Sequence, residues 1–288
     1  VDNYLDEKLG ADNKPNDKPY KDGAHYTGKE HVWDEAFGYW GAAAHSLGLS
    51  PKENYEITKM KNFKAADANG DGVIDLKSEY NFAHSYYASS FDKGGKTNYF
   101  KTVTKAFIDG RQIITNANGE KLTDSQRDKL ISLAATIERN WEKVLAEAVF
   151  KYAGSVYKDI DKLKELLDSN SDTSKAFSTY AKHWGELKGF AMALQAGPDN
   201  KSDTFNRLNR MMGFGPLMPN LSQVTGIDSS GNYIKDQGSS IGYYKVHMLK
   251  IQKLMAKEYA LKAKVNDATG GMAALLEKVG TKKSAEND

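Results

Sequence analysis

The fold is decided by residues 27–41, which read TGKEHVWDEAFGYWG. Thr27 and Glu30 have the spacing of a capping box, in which each side chain accepts a hydrogen bond from the backbone amide of the other residue. Beyond them, Trp33, Phe37 and Trp40 recur at three- and four-residue spacing, as residues on one helix face do. We therefore predict a helix whose aromatic face and whose opposite face of small and polar residues are both buried.

The same periodicity covers most of the chain. Capping-box spacing recurs at residues 50–53 and 123–126, each followed by an apolar repeat. Helical spacing of apolar residues is found in the segments 28–47, 51–66, 76–91, 97–115, 124–153, 155–168, 174–196, 202–212, 240–265 and 268–279. Because strand-like alternation is nearly absent, the sequence predicts an all-α protein.

Residues 213–240 are the longest interruption of this pattern. They contain two prolines and many turn-forming residues, and such a length is unusual for a connection between helices. We predict an ordered functional or packing loop here, with a short hairpin around Asp228 to Gly231.

An internal repeat bears on the domain organisation. The motif Trp-x-Glu-x-x-Gly-aromatic occurs at residues 33–39 and 184–190, and a histidine, His31 or His183, precedes each copy. The repeat predicts two helical bundles related by duplication. The expected domains are a flexible tether at residues 1–26, a first bundle at 27–153 and a second bundle at 154–288.

Composition narrows the class of protein. Forty Lys and Arg are interspersed with 38 Asp and Glu, so no basic face for nucleic acid is expected. There is no cysteine, which excludes disulfides and thiolate metal sites. No apolar run approaches the ~20 residues that span a bilayer, so no transmembrane segment is predicted. The chain opens with Val1, as a processed product would.

A candidate calcium loop begins at Asp67. Residues 67–75 read DANGDGVID, which matches the first nine positions of an EF-hand loop. Position twelve is Ser78, and the expected acidic residue comes one place later, at Glu79. The predicted calcium ligands are Asp67, Asn69, Asp71, the carbonyl of Val73, Asp75 and Glu79. The alternative is a turn rich in Asp and Gly that binds no metal.

The calcium loop has a consequence for localisation. No second loop of this type is present, so a structural role is favoured over that of a paired sensor. Single loops of extracellular modules bind calcium with dissociation constants of roughly 0.1 to 1 mM. Such a loop fills where free calcium is millimolar, which favours a periplasmic or cell-surface protein, lipid-anchored through a removed N-terminal segment.

A second candidate metal site combines the two copies of the repeat. His31 and Glu35 lie one helical turn apart, and together with His183 and Glu186 they are the residue types that bind iron or zinc. The alternative is a buried polar network that holds two helices in register. The residues alone leave both interpretations open.

The segment EHVWDEAFGYWG at residues 30–41, followed by the Asp67 loop, resembles a family of exported bacterial proteins catalogued as a domain of unknown function. That family is similar in turn to the imelysin-like proteins, whose motif is Gly-x-His-x-x-Glu. The resemblance implies a duplicated helical fold, a periplasmic or outer-membrane location and a link with iron uptake. In the second copy of the repeat in this chain, Ala181 occupies the position of the glycine in that motif.

Together these observations predict an exported, calcium-stabilised protein that binds iron or another transition metal, for delivery to an outer-membrane or cell-surface partner. The alternative is a calcium-stapled surface module that binds a protein or glycan and carries no transition metal. An enzyme is the third hypothesis, because hydrolase and nucleotide-binding signatures are missing.

Overall fold

A computed structural model describes residues 14–197, 201–236 and 240–279. It confirms the all-α prediction, since the described chain is mostly helical and its sheet consists of two strands. The α-helices are α1 (Gly28–Trp40), α2 (Pro51–Ile57), α3 (Phe63–Ala66), α4 (Ala83–Asp92), α5 (Tyr99–Asn116), α6 (Asp124–Asp168), α7 (Ser174–Gln195), α8 (Ser202–Met212), α9 (Ile241–Glu258) and α10 (Met272–Val279). Short 3-10 helices span Ala44–Gly48 and Thr269–Gly271, and the strands are β1 (Gln223–Ile227) and β2 (Tyr233–Asp236).

The chain divides into two compact units, residues 1–144 and 145–288. The division falls within α6, in which the sequence had placed a boundary after residue 153. In the described parts of the chain, no helix is both long enough and apolar enough to cross a membrane.

Aromatic packing forms the core of the first unit. Trp33 and Trp40 of α1 are fully buried against α5. The indole of Trp33 donates to the backbone carbonyl of Phe107 at 2.6 Å, and that of Trp40 donates to the Thr104 hydroxyl at 3.0 Å. Trp141 completes the cluster, with its ring centroid 5.1 Å from that of Trp40. These bonds satisfy the indole donors that burial would otherwise leave unpaired.

The opposite face of α1 differs from the prediction. Gly38 is exposed, and the side chains of His31 and Glu35 keep 31% and 35% of their surface exposed. The expectation that α1 is buried on both faces is therefore wrong. Small and polar residues on this face reflect partial contact with solvent, while the aromatic face alone enters the core.

Residues 14–26 are attached to the first unit. Asn16 is 3% exposed, and its amide donates to the backbone carbonyls of Ile114 and Glu120 at 3.3 and 3.0 Å. Pro19 and Thr27 form a β-bridge that closes the segment on itself. The predicted tether is thus wrong for residues 14–26, because Asn16 supplies hydrogen bonds that composition does not reveal. Residues 1–13 lie outside the described part.

Gly154 lies inside α6 rather than at a helix break. A Cβ at this position would lie 2.0 Å from the carbonyl oxygen of Asn266 and 2.6 Å from Nε2 of Gln252. Gln252 is fully buried and donates to the carbonyls of Phe150 and Asn266, both at 3.0 Å. The separation of segments 124–153 and 155–168 is therefore wrong, since the glycine permits close packing within one continuous helix.

The predicted hairpin in residues 213–240 is confirmed. β1 and β2 pair antiparallel around a turn in which Asp228 accepts the amides of Ser230 and Asn232. All four residues of β2 are exposed, including Tyr233 at 64% and Ile234 at 50%. The hairpin thus presents apolar side chains to solvent within the second unit.

Candidate metal sites

A one-turn helix, α3, leads into the candidate calcium loop. Asn62 caps α3, because its side-chain oxygen accepts the amide of Ala65 at 3.2 Å. The carbonyl of Ala65 in turn contacts Nε2 of His45 at 3.1 Å. At the helix end the amide of Asp67 donates to the carbonyl of Phe63 at 2.9 Å. The first predicted ligand is therefore positioned by the helix that precedes it.

Side-chain oxygens organise the backbone of the loop. Asp67 accepts the amides of Gly70 and Gly72 at 2.8 and 3.1 Å. Both glycines have left-handed φ angles, 74° and 82°, which confirms that Gly72 permits the sharp turn expected there. Asn69 accepts the amide of Asp71 at 2.9 Å, and Asp71 accepts that of Val73 at 2.8 Å. Successive side-chain oxygens therefore each hold a backbone amide of the same loop.

Glu79 closes the loop. It is 4% exposed; its Oε1 accepts the amides of Ala68 and Asn69 at 3.0 and 3.2 Å, and its Oε2 accepts that of Asp75 at 2.9 Å. A carboxylate oxygen accepts about two hydrogen bonds. Oε1 is therefore saturated, and only Oε2 keeps capacity for a cation while these bonds persist.

The exit from the loop departs from the prediction of a helix at 76–91. A single turn joins the carbonyl of Asp75 to the amide of Glu79 at 2.8 Å, and α4 begins only at Ala83. Between them Asn81 is fully buried, accepts the amide of Ala43 at 2.8 Å and donates to Asn54 at 3.2 Å. The predicted helix is wrong for residues 76–82, because Asn81 is bound to Ala43 and Asn54 and Phe82 has an extended backbone just before α4. Sequence reasoning missed this anchor, since a lone asparagine carries no pattern.

The donor set fits a hard cation. The carboxylates of Asp67, Asp71 and Asp75, the amide oxygen of Asn69 and the carbonyl of Val73 are the oxygen ligands that calcium accepts. The amide of Lys77 and the hydroxyl of Ser78 lower the pKa of Asp75, which favours its anionic form. Over the described ranges, no three His, Asp or Glu side chains gather closely enough to hold a metal. Calcium would therefore draw these side chains inward.

His31 and Glu35 form a pair in the first unit. His31 Nε2 lies 3.5 Å from Glu35 Oε2, and the imidazole stacks on Tyr20 with ring centroids 3.8 Å apart. Tyr26 stacks on the same ring at 5.9 Å. Because Tyr20 and Tyr26 belong to the attached N-terminal segment, His31 also serves to hold that segment on α1.

His183 has a different carboxylate partner from the one predicted. Its Nδ1 lies 2.6 Å from Oδ2 of Asp159 on α6, and both residues belong to the second unit. Glu186 lies on α7, and its buried Oε2 accepts no hydrogen bond from any described residue. The predicted partnership of His31 and Glu35 with His183 and Glu186 stays a prediction. Asp159 was missed because its pairing with His183 joins separate helices.

Comparison with family models, with curated proteins and with solved structures finds no match for this chain. The resemblance to imelysin-like proteins therefore stays a prediction.

Proposed function

We propose that this protein is a calcium-stapled binding module that works outside the cytoplasm. The observation that supports the proposal is the Asp67 to Glu79 loop, in which the side-chain oxygens of the predicted ligands accept backbone amides of the same loop. Glu79 ties the start of the loop to its end. Calcium would strengthen that closure by neutralising carboxylates that otherwise repel one another.

The structural role follows from where the loop is attached. Asn62 fixes its entry, and the buried Asn81 fixes its exit to residues 43 and 54. An ion in the loop therefore stabilises the first unit through both attachments. At ten times the dissociation constant, the gain in free energy of unfolding is about 1.4 kcal/mol. For a loop with a dissociation constant of roughly 0.1 mM, ten times that value is about 1 mM free calcium. Free calcium is that high outside the cytosol, which favours a periplasmic or cell-surface location.

The exposed hairpin favours a binding role for the second unit. β2 has one strand neighbour, β1, in the described chain, and Tyr233 and Ile234 are exposed on it. An unpaired strand edge with apolar side chains suits a protein partner that adds an extended segment. We place the protein partner of this module at β2.

Thermal unfolding with calcium and with a chelator tests the staple. Calcium should raise the midpoint of the wild type, and Asp67→Ala should abolish the increase. Asp228→Ala is the matched control, because Asp228 also accepts two backbone amides but lies in the hairpin turn. The proposal fails if both variants respond to calcium as the wild type does.

A transition-metal function is the second candidate, favoured by the two histidine–carboxylate contacts, His31 with Glu35 and His183 with Asp159. In this proposal the two units are related by duplication, as in imelysin-like proteins. The Trp33 and Trp184 indoles support the duplication, since each donates to a backbone carbonyl of another helix. Zinc and iron titrations of the chelator-treated protein test it: a saturable site lost in a variant combining His31→Ala and Glu35→Ala supports the function. If neither zinc nor iron shows saturable binding, the transition-metal function is ruled out.

A further inference from the structure

A pocket of about 530 Å³ lies between α1 and α5 within the first unit, and none of the predicted calcium ligands lines it. Its size falls in the range of pockets that enclose small molecules, roughly 300–1,000 Å³. Trp33, Phe37, Phe107 and Ile108 form its apolar wall. Gly110 lies behind this wall. A Cβ at position 110 would be 2.0 Å from the indole of Trp33, so the glycine leaves room for that ring.

Charged groups converge on one side of the pocket. Arg111 donates through Nε to Oδ1 of Asp34 and through Nη1 to Oε1 of Glu30, both at 2.8 Å. Nη1 also contacts the hydroxyl of Thr115. One guanidinium therefore faces two carboxylates, and this cluster carries a net charge of about −1 when all three groups are ionised.

Asp34 keeps an open acceptor at the pocket. Its side chain is 53% exposed, and within the described ranges its Oδ2 has no hydrogen-bond donor. Partial burial raises the pKa of Asp34, against the opposing effect of Arg111, so its carboxylate is less well solvated than a free one. A ligand ammonium group at Oδ2 would form a charge-assisted hydrogen bond.

We propose that this pocket binds a small primary amine with an aromatic or branched apolar body. The body would fill the space beside Phe37 and Phe107, and the ammonium group would donate to Oδ2 of Asp34. An anion is disfavoured because the carboxylates of Asp34 and Glu30 lie beside Arg111 and outnumber its positive charge. This site is independent of the calcium proposal.

Three probes of similar size test the charge preference: phenethylamine, 2-phenylethanol and 3-phenylpropionate. Each is titrated into the full chain while the indole NH signals are followed by NMR. Phenethylamine should bind about ten-fold or more tighter than 2-phenylethanol, the ratio expected for one hydrogen bond to a charged group. 3-Phenylpropionate should bind weakest. Tighter binding of the acid, or no saturable binding of the amine, would overturn the proposal.

Asp34→Asn should remove the preference for phenethylamine and leave the binding of 2-phenylethanol unchanged. Asp109→Asn is the matched control, because Asp109 lies on α5 and pairs with Lys105 instead of lining the pocket. Should Asp34→Asn fail to fold, the order of the three probes on the wild type still decides. Equal loss of preference in both variants would refute the role of Asp34.

Discussion

The close contact between Gly110 and Trp33 gives a sharp prediction about stability. In Gly110→Ala the new methyl group would lie 2.0 Å from Cζ2 of Trp33, far inside the ~3.5–4 Å separation of carbon atoms in contact. The indole, which is fully buried, must move. Its bond from Nε1 to the carbonyl of Phe107, 2.6 Å long, is then lost or distorted.

The expected cost combines three effects. Overpacking costs about 1–3 kcal/mol, and a buried donor left unpaired costs about 1–3 kcal/mol. Replacing glycine by alanine inside a helix returns up to ~1 kcal/mol. We therefore expect Gly110→Ala to lower the free energy of unfolding of the first unit by about 3 kcal/mol. Gly38→Ala should instead raise it by ~0.5–1 kcal/mol, because Gly38 is helical, exposed and has open space around it.

Urea unfolding followed by tryptophan fluorescence measures both variants. Three of the four tryptophans, Trp33, Trp40 and Trp141, lie in residues 1–144, so the signal reports mainly on the first unit. Near-ultraviolet circular dichroism reports the displacement of the indole. Equal stability of Gly110→Ala and Gly38→Ala would refute the packing argument.

Three further predictions concern other contacts. Glu147 is fully buried and accepts three backbone amides of the second unit. Glu147→Gln should therefore lower the free energy of unfolding in urea by about 2–4 kcal/mol. Glu165→Gln is the control, because Glu165 is exposed, and it should change stability by less than ~0.5 kcal/mol. Burial lowers the pKa of His84, which accepts the Trp141 indole at 2.7 Å. Below about pH 6.5 the unfolded chain binds a proton that the folded chain resists, so stability should fall on acidification, and less steeply in His84→Gln. Asn16→Ala should speed tryptic cleavage after Lys21, because the segment loses the hydrogen bonds of Asn16 to Ile114 and Glu120, while the wild type stays protected.

The local signals in the sequence predicted much of the helical fold. The capping boxes at Thr27, Ser50 and Thr123 are present, with each side chain bonded to the residue three places later. The helix 202–212 and the hairpin also agree, because caps, periodicity and turn residues act over a few positions. Gly72 adopts the positive φ that its place in the loop requires.

The failures share a physical origin in contacts between distant residues. Asn16 and Asn81 are buried through bonds to backbone groups far along the chain, and a single asparagine gives no periodic signal. Gly154 suggested a break between two helices. It lies instead inside one helix, where the absence of a side chain leaves room for the backbone of Asn266. The partner of His183, Asp159, likewise belongs to another helix. Tertiary contacts of this kind override local propensity.

A calcium titration of the isotope-labelled protein, followed through its loop amides by NMR, tests whether the Asp67 to Glu79 loop binds calcium. We expect saturable shifts of Gly70 and Gly72, with a dissociation constant of roughly 0.1–1 mM and weaker binding of magnesium. Glu79→Gln should weaken the binding, since Oε2 of Glu79 is the acceptor that keeps capacity for the ion. Loop amides that remain unmoved at ~10 mM calcium, well above that range, would show that the loop is not a calcium site.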